Sequence, residues 1–337
     1  MQNPRSISSE RLKLKFNATK HVLLLDLDNT LTDTRRWFAN FILNSTEELA
    51  HALKIEPELL NRYYGDVALA TTLHEYAFVV ETIAAKVKAH SHLPPQKIMA
   101  LAESFWEGFQ KHHQNIEVYE GVHQTLAKLR SHFRSLDIII LTDSPDWVAI
   151  DRLALTGLLP LVHGLVAIRT EMPELRHSRY RDCLQKSKDR ILAIKHKHDT
   201  RHLKLKLAIS KACAKPSCAG IELIAKSLDG ALGELMICGD KESKEGMAAQ
   251  NWRQYQRLTG EPTKDIHFIK ADYGNYDLTH HHYQELEKQI HSLKAPKVNE
   301  QMVSAGPPVF RALERCDQLT EVIEEIISGK PSLIEVA

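Results

Sequence analysis

Short unbroken aliphatic runs, separated by stretches of helical period, dominate the chain, and several of these runs end in polar residues. Val22-Leu23-Leu24-Leu25 leads into Asp26-Leu27-Asp28-Asn29-Thr30 and a second polar turn, Thr32-Asp33-Thr34. Ile138-Ile139-Ile140-Leu141 leads into Thr142-Asp143-Ser144, and Glu234 to Cys238 leads into Gly239-Asp240. Runs of this kind suit strands buried on both faces of a parallel sheet. Further strands are predicted at about 161–168 and 266–270, with helices at about 96–112, 122–129, 147–155, 222–228 and 283–293. Gly157 suits a helix C-terminus. Strands alternating with helices predict an α/β fold, a Rossmann-like parallel sheet with helices on both faces.

One block departs from that alternation. After Asp33 the apolar positions recur at three- and four-residue steps through Trp37, Phe41, Ile42, Leu49, Ala52 and Leu53, and on through Leu69, Leu73, Tyr76, Val79, Val80 and Ile83. Pro94-Pro95 breaks it once, and no strand pattern interrupts it. Residues 35–115 therefore read as an inserted all-helical cap domain, with Trp37, Tyr76, Trp106 and Phe109 in its core and Arg35 and Arg36 near its hinge. The α/β core is then 17–34 and 116–295, with a basic insertion at 170–214 inside it. Residues 296–337 read as a C-terminal tail with a helix from Val309 to Ile327.

Composition narrows the class. At 337 residues, 43% hydrophobic and 26% charged, with a formal net charge of +1, the chain reads as a soluble globular protein without a chain-wide pull toward polyanions. No run approaches the roughly 20 apolar residues of a spanning helix. The N-terminus lacks the apolar segment of a secretory signal, and five cysteines without a CxxC pair read as reduced thiols, so a cytoplasmic location is expected. Charge is uneven, however. Residues 176–215 hold thirteen Lys or Arg against three Asp, an excess of +10. Lys alternates with apolar residues in 202–207 and again in 11–16, which suits half-buried strands whose lysines guard a solvated edge. A polyanionic partner at 176–215 is the functional alternative. His280-His281-His282 reads as a polar helix start, because consecutive residues cannot share one helical face.

The polar strand ends come in a telling order: Asp26-Leu27-Asp28-Asn29-Thr30, Thr142-Asp143-Ser144, Lys215-Pro216, then Gly239-Asp240 with Glu245 five residues further on. This order resembles the four motifs of the haloacid dehalogenase superfamily of phosphatases and phosphotransferases, and phosphoglycolate-phosphatase-like members in particular. The resemblance implies a Mg²⁺-dependent phosphatase acting on a small phosphorylated metabolite. Asp26 would be the nucleophile and Asp28 the general acid and base. Thr142, Asp143 and Lys215 would form the phosphate site, and Asp26, Asp28 (through its carbonyl), Asp240 and Glu245 the metal site. The physics agrees, since an anionic nucleophile meeting a phosphate dianion needs positive charge: two unit charges at about 4 Å interact by about 4 kcal/mol at an effective dielectric near 20. An acid at Asp28 argues for phosphate esters, because a departing halide needs no proton. A phosphotransferase or mutase shares every one of these residues, and a polyanion-binding protein with a vestigial pocket is a third reading. Glu242 competes with Glu245 as second acid, and Lys211 with Lys215 as the lysine.

Overall fold

The computed structural model describes residues 19–34, 41, 45, 47–56, 58–60, 63, 78–86, 93–170, 180–228, 232–260, 265–274 and 309–329. Seven strands form one parallel sheet: β1 (Lys20–Leu25), β4 (Leu136–Pro145), β5 (Gly164–Ile168), β6 (Leu205–Ile209), β7 (Leu232–Gly239), β8 (Ile266–Ala271) and β9 (Arg311–Leu313). Their order across the sheet is β6-β5-β4-β1-β7-β8-β9. β1 thus lies centrally, and the order reverses direction on either side of it, which opens a crevice beyond its C-terminal end.

The aliphatic runs are buried on both faces, as period two requires. Leu23, Leu25, Ile138, Ile140, Met236 and Cys238 pack on one side, against α3 (Val122–His132), α4 (Asp146–Leu155) and α8 (Leu319–Ser328). Val22, Leu24, Ile139, Leu141, Leu235 and Ile237 pack on the other, against α6 (Ala219–Ser227) and α7 (Met247–Thr259). The turn after α4 closes at Gly157 with φ +71°, a left-handed conformation that glycine adopts without strain.

The chain leaves the core at β2 (Thr32–Asp33) and returns at β3 (Glu117–Val118), and these two short strands pair antiparallel. Among the described residues between them, 47–53 and 58–60 are helical, followed by α1 (Val79–Lys86) and α2 (Pro95–His113). Trp106 and Phe109 are buried in one apolar cluster with Phe41, Leu53, Val80 and Ile83. That cluster continues into the core through Trp147, whose ring stacks on Trp106 at 5.3 Å.

The basic insertion carries a helix and a strand. α5 (Arg181–Lys197) lies against the cap helices: Ser187 Oγ donates to Glu81 Oε1 at 2.6 Å, and Arg190 and Lys186 both pair with Glu103. Lys195 pairs with Asp146 and Lys204 with Asp137, each at 2.6 Å. Several of its cations thus meet acids of this same chain. β6 is one of the two outer strands of the sheet, with Lys206 exposed on it and Lys204 exposed just before it.

Two expectations need correction. Val309 to Ile327 is not one helix: Arg311–Leu313 is a strand on β8, Cys316–Gln318 is a 3-10 turn, and the helix starts only at Leu319. The edge of β8 offers unpaired backbone groups, and pairing them outweighs helical propensity there. Residues 309–329 therefore belong to the core sheet and its packing, not to a tail. The predicted strand at 11–16, the helix at 283–293, Arg35, Arg36, Trp37, Tyr76 and the three consecutive histidines lie outside the described residues.

Candidate active site

β1 pairs in register with both neighbours, Leu25 lying opposite Ile140 of β4 and Cys238 of β7. The next residues are therefore side by side: Asp26, whose N–H donates to the Cys238 carbonyl at 3.0 Å, stands near the Thr142 and Asp240 ends of its flanking strands. Beyond it the chain turns sharply. Asn29 takes φ +62°, a conformation Asn tolerates, and Thr32 folds back so that its hydroxyl donates to the Leu27 carbonyl at 3.1 Å.

Lys215 reaches this point from the far side of the sheet. The long segment after Thr142 builds β5, α5 and β6, then a 3-10 turn at Lys211–Cys213, and so returns the lysine to the crevice. Its ammonium lies 2.6 Å from Asp26 Oδ1 and 2.5 Å from Glu245 Oε1, and its side chain is 2% exposed. Burial opposes the charged form, but Asp26, Glu245 and Asp143 outweigh it and hold the pKa well above the ordinary lysine value. It is Lys215, then, and not Lys211, whose ammonium pairs with Asp26.

The second acid resolves in the same way. Glu245 is fully buried, on a π-helical turn at Glu242–Gly246, and its Oε2 accepts from the Lys241 N–H at 3.2 Å. Glu242 points elsewhere and pairs with Lys270 at 3.1 Å. Gly239 makes room for this turn, since a Cβ there would meet Glu245 Cγ at 2.3 Å.

Asp26, Asp240 and Glu245 each bring a carboxylate oxygen within 4.8 Å of the others. Burial pushes the Asp26 carboxyl up to about 8; Lys215 opposes the rise, while Glu245, Asp240 and Asp28 add to it. These three buried acids share their space with the Lys215 ammonium. Such a set suits a hard divalent cation with oxygen ligands, such as Mg²⁺.

Thr142 is buried and accepts from the Ser144 N–H at 3.1 Å, a bond that leaves its hydroxyl proton uncommitted. Asp143, the next residue, is tied to two lysines. Its Oδ1 accepts from the Lys215 N–H at 2.9 Å and its Oδ2 pairs with Lys244 at 3.0 Å. Burial alone would raise its pKa, but Lys215 and Lys244 outweigh that and hold it ionised. Asp143 thus holds the Lys215 backbone and the Lys244 ammonium in place. Lys244, with its side chain 41% exposed, has no motif signal beyond its place among the charged residues after Asp240.

Asp28 has partners of another kind. Ser144 Oγ donates to its Oδ2 at 2.6 Å, and Arg152 of α4 pairs with its Oδ1. Sequence reasoning missed Arg152. The signal was an adjacent Asp151-Arg152 inside an otherwise apolar helical stretch, Trp147 to Leu155, where a charged pair has no solvated face to occupy.

No family model and no curated protein sequence matches the chain. Among solved structures it is similar to a 2-haloacid dehalogenase from Pseudomonas syringae pv. tomato DC3000, with 13% identity and a TM-score of 0.48 over 91% of this chain and 99% of that one. A HAD phosphatase from Thermococcus onnurineus follows, with 13% identity and a TM-score of 0.44 over 90% and 97%. A predicted phosphoglycolate phosphatase from Haemophilus somnus 129PT gives 10% identity and a TM-score of 0.43 over 91% and 100%. The chemistry rests on the side chains above. Among the described residues no helix is long and apolar enough to cross a membrane.

Proposed function

We propose that the protein is a Mg²⁺-dependent phosphatase of the haloacid dehalogenase type, hydrolysing a small phosphorylated metabolite. The observation that carries this reading is the buried meeting of Asp26 with Lys215, Asp240 and Glu245 at the C-terminal end of the central strand.

Asp26 attacks phosphorus through a carboxylate oxygen, and the bond to the ester oxygen breaks. Asp28 gives its proton to the departing alkoxide. Water then attacks the aspartyl-phosphate, Asp28 takes the proton, and inorganic phosphate leaves with Asp26 restored. Lys215 neutralises charge on the nucleophile and the phosphoryl oxygens, and the Thr142 hydroxyl donates to one of those oxygens. Asp240 and Glu245, with Asp26, would hold the cation, which supplies electrostatic stabilisation of the transferring phosphoryl group.

The test is a panel of phosphate monoesters assayed for phosphate release, with Mg²⁺ and with a chelator. Release from at least one ester, lost on chelation, supports the reading. A panel with no release in Mg²⁺ overturns it. Release only when a hydroxyl acceptor is present would move the assignment to a phosphotransferase.

A further inference from the structure

Arg152 is buried at 1% exposure on a helix whose other buried residues, its neighbour Asp151 apart, are apolar. A guanidinium there is costly to desolvate, and an apolar side chain of similar volume would stabilise the fold at least as well. Its presence calls for a use. We infer that Arg152 is a positioning residue that fixes the orientation of the Asp28 carboxylate, and that His113 and Asp151 hold the guanidinium in place for it. The inference rests on the phosphatase reading, in which Asp28 moves the protons.

The donors and acceptors dictate one arrangement. An arginine nitrogen can only donate. Arg152 Nε therefore gives its hydrogen to His113 Nε2, at 3.3 Å, and His113 carries its own proton on Nδ1, which faces Asp151 Oδ2 at 3.1 Å. Burial lowers the pKa of His113 and keeps the ring neutral, as this arrangement needs. The other oxygen of Asp151 lies 2.6 Å from His198 Nε2. Asp151 is held ionised: burial would raise it, but the hydrogen bonds from His113 and His198 outweigh that. Each link thus leaves the next one a single orientation, and the guanidinium presents Nη1 to Asp28 Oδ1. Ser144 holds the other oxygen at 2.6 Å. With both oxygens held, the carboxylate is locked about its last torsion.

His113 is the last residue of α2, so a cap residue and a core residue together set the aim of Asp28. That is more than the motifs specify. Displacing a reacting group by about 1 Å costs on the order of 10²-fold in rate.

The test uses the leaving-group dependence of kcat/KM, which reports the step in which Asp28 protonates the departing oxygen. Arg152→Gln, Arg152→Lys and His113→Gln are assayed in Mg²⁺ with p-nitrophenyl phosphate, whose leaving group needs little protonation, and with an alkyl phosphate, whose leaving group needs it. For Arg152→Gln the alkyl ester should lose about 10²-fold and the aryl ester less than about tenfold. Arg152→Lys should recover part of the difference, and His113→Gln should show it in weaker form. Equal losses on the two esters, no loss, or a gain would overturn the inference while leaving the phosphatase reading intact. A wild-type protein that hydrolyses no ester of the wider panel overturns both. Thermal melts establish folding, and if Arg152→Gln does not fold, His113→Gln, which retains the arginine but removes its imidazole partner, decides the matter.

Discussion

Asp26 and Asp28 leave the same strand two residues apart, yet their surroundings are opposite in kind. Asp26 is crowded by like charge: two further buried acids share its space, the Lys215 ammonium pairs with it and with Glu245, and its carboxyl is pushed up to about 8. Asp28, with its side chain 22% exposed, is held by one guanidinium and one hydroxyl. The first environment calls for positive charge, which a divalent cation would supply. The second fixes direction. A nucleophile can tolerate electrostatic frustration that is relieved on binding, whereas a proton-transfer group needs geometry at the moment of reaction.

Removing each carboxylate in turn breaks the comparison most directly. Asp26→Asn should abolish turnover, by about 10⁴-fold or more, because no other carboxylate replaces a nucleophile. Its effect on folding should have the opposite sign to its effect on activity. At pH 9 in a chelator the wild-type carboxylate is ionised against its environment, so the neutral amide should raise the melting temperature. Retained turnover in Asp26→Asn would remove it as nucleophile. Asp28→Asn should lower kcat/KM by about 10²- to 10⁴-fold on alkyl esters and less on aryl esters. Here stability should fall, by about 1–3 kcal/mol, because Arg152 loses its carboxyl partner inside the protein. If both substitutions shift the melting temperature the same way, the two environments are not opposite after all.

Most of the first environment was legible in the sequence and most of the second was not, for a physical reason. Asp26, Thr142 and Asp240 each follow an aliphatic run, and parallel pairing in register brings strand ends together without further information. Lys215 and Glu245 were legible only with rivals. The choice over Lys211 and Glu242 depends on how a 3-10 turn and a π-helical turn rotate their side chains, and spacing does not encode that. Arg152 and His113 sit on helices, 39 residues apart, and meet through packing of the cap against the core. β9 was lost differently: a three-residue strand such as Arg311–Leu313 is too short for any period to show, and its pairing with β8 is tertiary.

The smallest expected effect is a dependence on pH, and it separates the two aspartates most cleanly. An unfolded aspartate titrates near 4, whereas Asp26 in the fold titrates at about 8. Between those values the folded protein binds the extra proton, so the contribution of Asp26 to stability is fully present below about 4 and is lost as pH rises through about 8 in the absence of metal. Mg²⁺ binds the ionised carboxylate and must displace that proton below pH 8, so its affinity should rise with pH up to that point. The melting-temperature difference between Mg²⁺ and chelator should therefore be larger at pH 8.5 than at pH 6. Asp28→Asn should leave this trend in place, because its side chain is engaged by Arg152 and Ser144, and Asp26→Asn should flatten it. An equal Mg²⁺ shift at the two pH values would mean that Asp26 does not share the cation with Asp240 and Glu245, and would detach the nucleophile from the metal site.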